Sequence, residues 1–184
     1  MSGSGKTLAL KIIKKHGYDV FDCDMFSTNQ IVYDTTIINK LKNLTGLELK
    51  HGDYNVLKRL GKYFECNVEK EKEFEKWYQP YLGNTIKKHI VSCNKNTTFV
   101  DVPFLKEKKL IDFFDSVCII RATRKKCFER IKIRNNYNDE KIKYLLNRSR
   151  ISKECIQRAD IIIENNDNDY SEYEDKLLKT MKYL

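Results

Sequence analysis

The 184 residues contain no unbroken apolar run of the roughly 18 that a membrane-spanning helix needs. A secretory leader is not expected either, because a polar, glycine-rich pattern stands where its apolar stretch would be. Cysteine is present but unorganised. Cys23, Cys66, Cys93, Cys118, Cys127 and Cys155 are scattered, with no C-x-x-C and no histidine at metal-ligand spacing. That excludes a disulfide framework or a zinc ribbon and fits reduced thiols in a cytoplasmic protein. Cys118, inside an apolar run, is expected in the core. There is no internal repeat and no linker, so residues 1–184 read as one domain, large enough for a core without staples. His51 and His89 have no partner at useful spacing. The formal charge is +9, but the basic residues are dispersed and no strand is studded with aromatics on which bases could stack. The charge therefore suits an enzyme that gathers phosphates better than a nucleic-acid binder.

What is present is concentrated at the start. Met1-Ser2-Gly3-Ser4-Gly5-Lys6-Thr7 carries the second half of G-x-x-x-x-G-K-[ST], the loop whose backbone N–H groups curl round phosphates. In that pattern the lysine reaches the β/γ oxygens and the hydroxyl helps to hold Mg²⁺. Gly3, Ser4, Gly5, Lys6, Thr7 and Leu8 are the candidate nucleotide-binding set, with Thr7 also a metal ligand. The pattern's first glycine would fall one place before Met1, as would the strand that feeds such a loop. We expect an upstream start, because without that strand a parallel sheet would have a gap in its middle.

Helix-spaced apolar residues follow over 8–15, and His16-Gly17 ends them. Tyr18 to Phe21 reads as a short strand leading into Asp22-Cys23-Asp24. Helical spacing runs over 26–43, closed by Thr45-Gly46, then over 54–63 and 68–91, with a break or bend expected near Pro80 and Gly83. Phe99 and Val100 form a strand ending in Asp101-Val102-Pro103. Residues 116–120 read as a buried parallel strand. Helices are expected over 123–134, 139–150 and 151–159, then a strand at 161–163, a polar loop over 165–169 and an amphipathic helix over 170–183. Strands alternating with helices predict a parallel sheet covered on both faces.

Asp22 and Asp24, two apart at a strand end, can face the sheet edge where open α/β folds bind ligands. There a carboxylate can orient an acceptor hydroxyl and take its proton, and Asp24 is the better placed of the two. The same pair could instead be a strand-end turn or a helix cap. Asp101, an acid ending a buried strand, is either a helix cap or a partner for hydrated Mg²⁺. Arg130 and Arg134, four apart, share a helix face and could close over a triphosphate or be solvated.

Taken in order, GSGKT, D-x-D, Asp101-Val102-Pro103-Phe104-Leu105-Lys106-Glu107, R-x-x-x-R and Ala159-Asp160-Ile161-Ile162-Ile163-Glu164-Asn165 resemble the dephospho-CoA kinase family over nearly the whole chain. The resemblance implies a three-layer α/β P-loop kinase with a parallel sheet, a helical acceptor-binding insert over about 45–95 and a lid over about 123–150. It implies ATP and Mg²⁺ as cofactors and phosphorylation of the ribose 3′-hydroxyl of dephospho-CoA, the last step of coenzyme A synthesis. Catalytic roles then fall to Asp24, Lys6 and Arg130, nucleotide contacts extend to Arg134 and Asn165, and metal contacts to Thr7, Asp22 and Asp101. The family's pattern has His-Pro where this chain has Gln79-Pro80, and its acceptor-side arginine has only Arg59 nearby, out of step. The glutamine expected after the lid falls near Ser149. A nucleoside or deoxynucleoside monophosphate kinase and a nucleotide-binding protein without catalysis are the alternative readings. The implied partners are small molecules alone, with no membrane or nucleic acid and a monomer expected.

Overall fold

A computed structural model describes residues 1–102, 111–151, 153–166 and 169–182, the side chain of Glu154 excepted. In chain order the elements are α1 (Lys6–Lys15), β1 (Asp19–Asp22), α2 (Cys23–Tyr33), α3 (Thr35–Thr45), α4 (Asn55–Cys66), α5 (Val68–Ser92), β2 (Thr98–Asp101), β3 (Cys118–Arg121), α6 (Arg124–Asn135), α7 (Asp139–Arg148), α8 (Lys153–Gln157), β4 (Ile161–Glu164) and α9 (Tyr170–Met181). The chain divides into two compact units, one of Met1–Val20 with Asp101–Leu184 and one of Phe21–Val100. Most of the motif Asp101 to Glu107 lies outside the described residues, as do two residues of the expected polar loop.

In the first unit, β3 and β4 pair in parallel with Ile119 opposite Ile162 and Ile120 opposite Ile163, the pairing that alternating strands and helices predict. The register sets Asn165 directly beyond the end of β4, where its N–H donates to the Arg121 carbonyl at 2.8 Å. Helix α1 buries Ala9, Leu10, Ile12 and Ile13, and α9 buries Tyr173, Leu177 and Met181. The two helices pack together, and Glu174 of α9 meets Lys15 and His16 at the end of α1. Helices α6 and α7 close on a core of Ala122, Cys127, Ile131, Ile142 and Leu146, against which Met1 packs. Cys118 is exposed rather than in the core, because the alternation of β3 turns Ile119 inward instead.

In the second unit, Ile37, Ile38 and Leu41 of α3 meet Val56, Leu60 and Phe64 of α4 and Tyr78 of α5, with Leu49 between. Helical spacing over 26–43 predicted one helix where there are two. Asp34 ends α2 and starts α3, its carboxylate accepting from the N–H groups of Thr36 at 2.8 Å and Ile37 at 3.0 Å. A capping carboxylate satisfies amides that would otherwise be orphaned, which makes a break there inexpensive. No break occurs near Pro80, and α5 runs through it from Val68 to Ser92. The lost hydrogen bond is offset by burial of Tyr78 and Ile86 on the same helix and by stacking of Tyr78 on Phe74 at 4.9 Å. Strand β1 is shorter than the D-x-D motif required. Asp22 is its last residue and Asp24 already lies in the first turn of α2, so the two carboxylates follow strand and helix geometry respectively. Strands β1 and β2 form a second two-stranded sheet.

Candidate active site

The loop before α1 depends on two glycines for its shape. Gly3 has φ +77° and Gly5 φ +101°, both left-handed, and each backbone is approached closely. A Cβ on Gly3 would stand 2.7 Å from the Cys127 carbonyl oxygen, and one on Gly5 would stand 2.1 Å from Asn165 Nδ2. Gly5 caps α1 without a side chain, and the first helical bond runs from Ala9 N–H to the Gly5 carbonyl at 3.0 Å. The amides of Lys6, Thr7 and Leu8 thus have no acceptor inside the helix, and no acidic residue occupies the first turn. A helix start of this kind favours an anion. Ser4 is buried, and its Oγ has no hydrogen-bond partner among the described residues.

The loop is braced from behind by residues distant in sequence. Asn165, buried, donates from Nδ2 to the Ser4 carbonyl at 2.8 Å. Arg130 donates to the Gly3 carbonyl at 3.4 Å, the Asn165 carbonyl at 3.0 Å and Asn165 Oδ1 at 3.3 Å. Tyr173 donates its hydroxyl to the Gly5 carbonyl at 3.3 Å, and burial pushes that phenol well above its ordinary range, so it stays protonated. Ser149 Oγ accepts from the Ser2 N–H at 2.8 Å. The carbonyls of Gly3, Ser4 and Gly5 are thus occupied on the outer side of the loop.

Lys6 Nζ lies 3.7 Å from Asp101 Oδ2, the lysine side chain 30% exposed and the aspartate 8%. The residue that ends β2 thus faces the lysine of the loop. Thr7 is exposed in the first turn of α1. Arg134, one turn beyond Arg130, is exposed and donates to Asn135 Oδ1 at 2.8 Å, so the shared helix face does not give the two arginines shared partners. In the other unit, Asp22 caps α2 by accepting from the Met25 N–H at 2.9 Å, while Asp24 is exposed in the first turn.

The residues fit a nucleoside triphosphate with magnesium. The left-handed glycines shape a loop that a Cβ would obstruct, and its free amides lie beside Lys6. Among the described residues no cluster of three or more His, Cys, Asp or Glu could hold a metal unaided. Magnesium does not need one, since it is commonly held by one or two protein oxygens together with substrate phosphates and water. Thr7 and Asp101 carry oxygens of that kind. The structure brings the loop together with Asp101, Arg130 and Asn165, which the sequence reading named, and with Tyr173 and Ser149, which it did not name as braces. Tyr173 carries no motif and reads only as the apolar face of an amphipathic helix.

A family model described as dephospho-CoA kinase matches residues 2–171. Dephospho-CoA kinase of Streptococcus agalactiae serotype III is 26% identical over 171 residues, covering 89% of this chain and 85% of that protein. Dephospho-CoA kinase of Bacillus cereus is 24% identical, covering 88% and 83%. Among solved structures, a protein of Thermus thermophilus superposes with a TM-score of 0.79 at 19% identity, over 99% of this chain and 92% of that one. Dephospho-CoA kinase from Campylobacter jejuni does so with 0.66 at 20% identity, over 97% and 90%. No described helix is long and apolar enough to cross a membrane. With its loop, its parallel strands and nearly its whole length accounted for in this way, the chain belongs to the dephospho-CoA kinase family of ATP-dependent kinases, whose reaction is the final step of coenzyme A biosynthesis.

Proposed function

We infer that the chain transfers the γ-phosphoryl group of ATP to the ribose 3′-hydroxyl of dephospho-CoA, with magnesium, in the cytoplasm and as a monomer. The observation that carries this reading is the braced glycine loop heading α1, with Lys6 facing Asp101, in a chain that the family model matches over residues 2–171. The loop from Gly3 to Leu8 receives the phosphates through the amides that head α1, and Lys6 neutralises charge on the phosphoryl group in transit. Thr7 and Asp101 would hold magnesium. Bound magnesium would screen the charge between the terminal phosphoryl oxygens. Asp24 orients the acceptor hydroxyl and takes its proton as the new O–P bond forms and the bond to ADP breaks. Arg134 and Asn165 belong to the nucleotide side. Residues 45–95, the acceptor insert, fall within the second unit.

Offering dephospho-CoA, AMP and dTMP with ATP and magnesium tests the reading. Coenzyme A and ADP are expected from the first, with loss of turnover in EDTA and recovery on adding magnesium. Turnover of a monophosphate and none of dephospho-CoA would reassign the acceptor.

Arg130 acts here chiefly through the loop it braces. Its fork spans three acceptors, which a lysine cannot do. Arg130→Lys is expected to raise the Michaelis constant for ATP by roughly ten-fold, about the worth of one charge-assisted hydrogen bond. Steady-state kinetics with ATP varied reads this directly, and an unchanged constant would remove the loop-bracing role.

A further inference from the structure

The second unit carries a half-buried aromatic ledge, exposed at Tyr81, that phosphate chemistry does not use. Phe21, next to last in β1, lies 5.4 Å from Phe26 on α2, centroid to centroid. Tyr81 of α5 stacks over Phe26 at 6.4 Å and 27°, and His89, on the same stripe of α5, lies 4.8 Å from Phe21. Gln30 Oε1 accepts from the Tyr81 hydroxyl at 2.7 Å, which fixes the ring while 36% of the residue stays exposed. Behind it Tyr78 is 6% exposed, and its hydroxyl, beside Ser27, has no partner of hydrogen-bond geometry among the described residues. Burial pushes that phenol up to about 12, so it remains a donor.

Rings held in place by one another and by the Tyr81–Gln30 bond present flat faces edged by polar groups, which suit a planar, polar-edged ligand. The ledge also brackets Asp24 in the chain, between Phe21 and Phe26. An acceptor whose reacting hydroxyl and base share one ribose needs a base platform close to its proton acceptor. We propose that Phe21, Phe26 and Tyr81, edged by His89, form the stacking face for the purine base of the acceptor. The proposal rests on Asp24 being the acceptor-side carboxylate.

Steady-state kinetics of Tyr81→Leu and Phe26→Leu, varying dephospho-CoA and ATP separately, provides the test. Loss of a stacking ring should raise the Michaelis constant for dephospho-CoA roughly 5- to 100-fold, leaving that for ATP within about two-fold. Inhibition constants should rise alike for AMP competing against the acceptor and stay level for 4′-phosphopantetheine, which lacks the base. Tyr81→Phe should restore most of the affinity. An unchanged acceptor constant, a shift in the ATP constant alone, or a shift for 4′-phosphopantetheine but not AMP would each overturn the proposal. Tyr81→Trp covers the case in which the leucine variants fail to fold, since emission added at position 81 should be quenched by AMP and an insensitive signal overturns the ledge. Wild-type protein that ignores dephospho-CoA yet quenches in the tryptophan variant would defeat the acceptor assignment while sustaining the ledge.

Discussion

Asp24→Asn is expected to lower turnover by roughly 10²–10⁴-fold while the Michaelis constant for ATP stays near its wild-type value. Asparagine keeps the size of the side chain and its capacity to accept a hydrogen bond, but it cannot take the proton of a hydroxyl. The side chain is exposed in the first turn of α2, where a carboxylate's attraction to the helix N-terminus contributes about 0.3–1 kcal/mol. A large kinetic loss with an almost unchanged melting temperature would therefore report chemistry rather than folding. Asp22→Asn makes the internal comparison. Asparagine caps helices about as well as aspartate, so the bond from the Met25 N–H should survive and turnover should fall less. Near-normal turnover of Asp24→Asn with every acceptor would place the base elsewhere.

The parts of this site that were legible in sequence are those whose chemistry is local. A glycine-lysine-threonine run is readable because left-handed backbone and free amides are properties of a few consecutive residues, and Asp101 is readable because an acid at the end of an apolar strand needs a partner. Asp34 shows the opposite case. It sits in an unbroken helical spacing as one more polar residue, and only the bonds from Thr36 and Ile37 turn it into a boundary. At Pro80 the local cost was visible and the burial of Tyr78 and Ile86, which keeps the helix unbroken there, was not. Cys118 looked buried because an apolar run says nothing about which face of a strand meets the core. The bracing of the loop by Tyr173 and Ser149 joins residues more than a hundred positions apart, and no periodicity carries that information.

Lys6→Ala should damage binding and turnover together, with kcat/KM for ATP falling by roughly 10²–10³-fold, the scale of removing one preorganised charge-stabilising group. The ammonium serves bound triphosphate and transition state alike, so part of the loss should appear in the Michaelis constant and part in kcat. A second consequence comes from Asp101. Its carboxylate is 8% exposed and 3.7 Å from Lys6, and without that cation a nearly buried anion loses its ion pair. Because Lys6 itself is 30% exposed, water screens part of the interaction, and the loss of stability should be about 1–2 kcal/mol rather than the larger cost of breaking a fully buried pair. For a domain of this size each kilocalorie corresponds to about 2–4 °C in melting temperature. Lys6→Arg separates the two effects. It keeps a positive charge beside Asp101 and should hold the melting temperature, yet its broad planar head does not reproduce a compact ammonium in the loop and turnover should remain low. Lys6→Ala protein that binds ATP with wild-type affinity would show that the loop's amides, and not the lysine, hold the triphosphate.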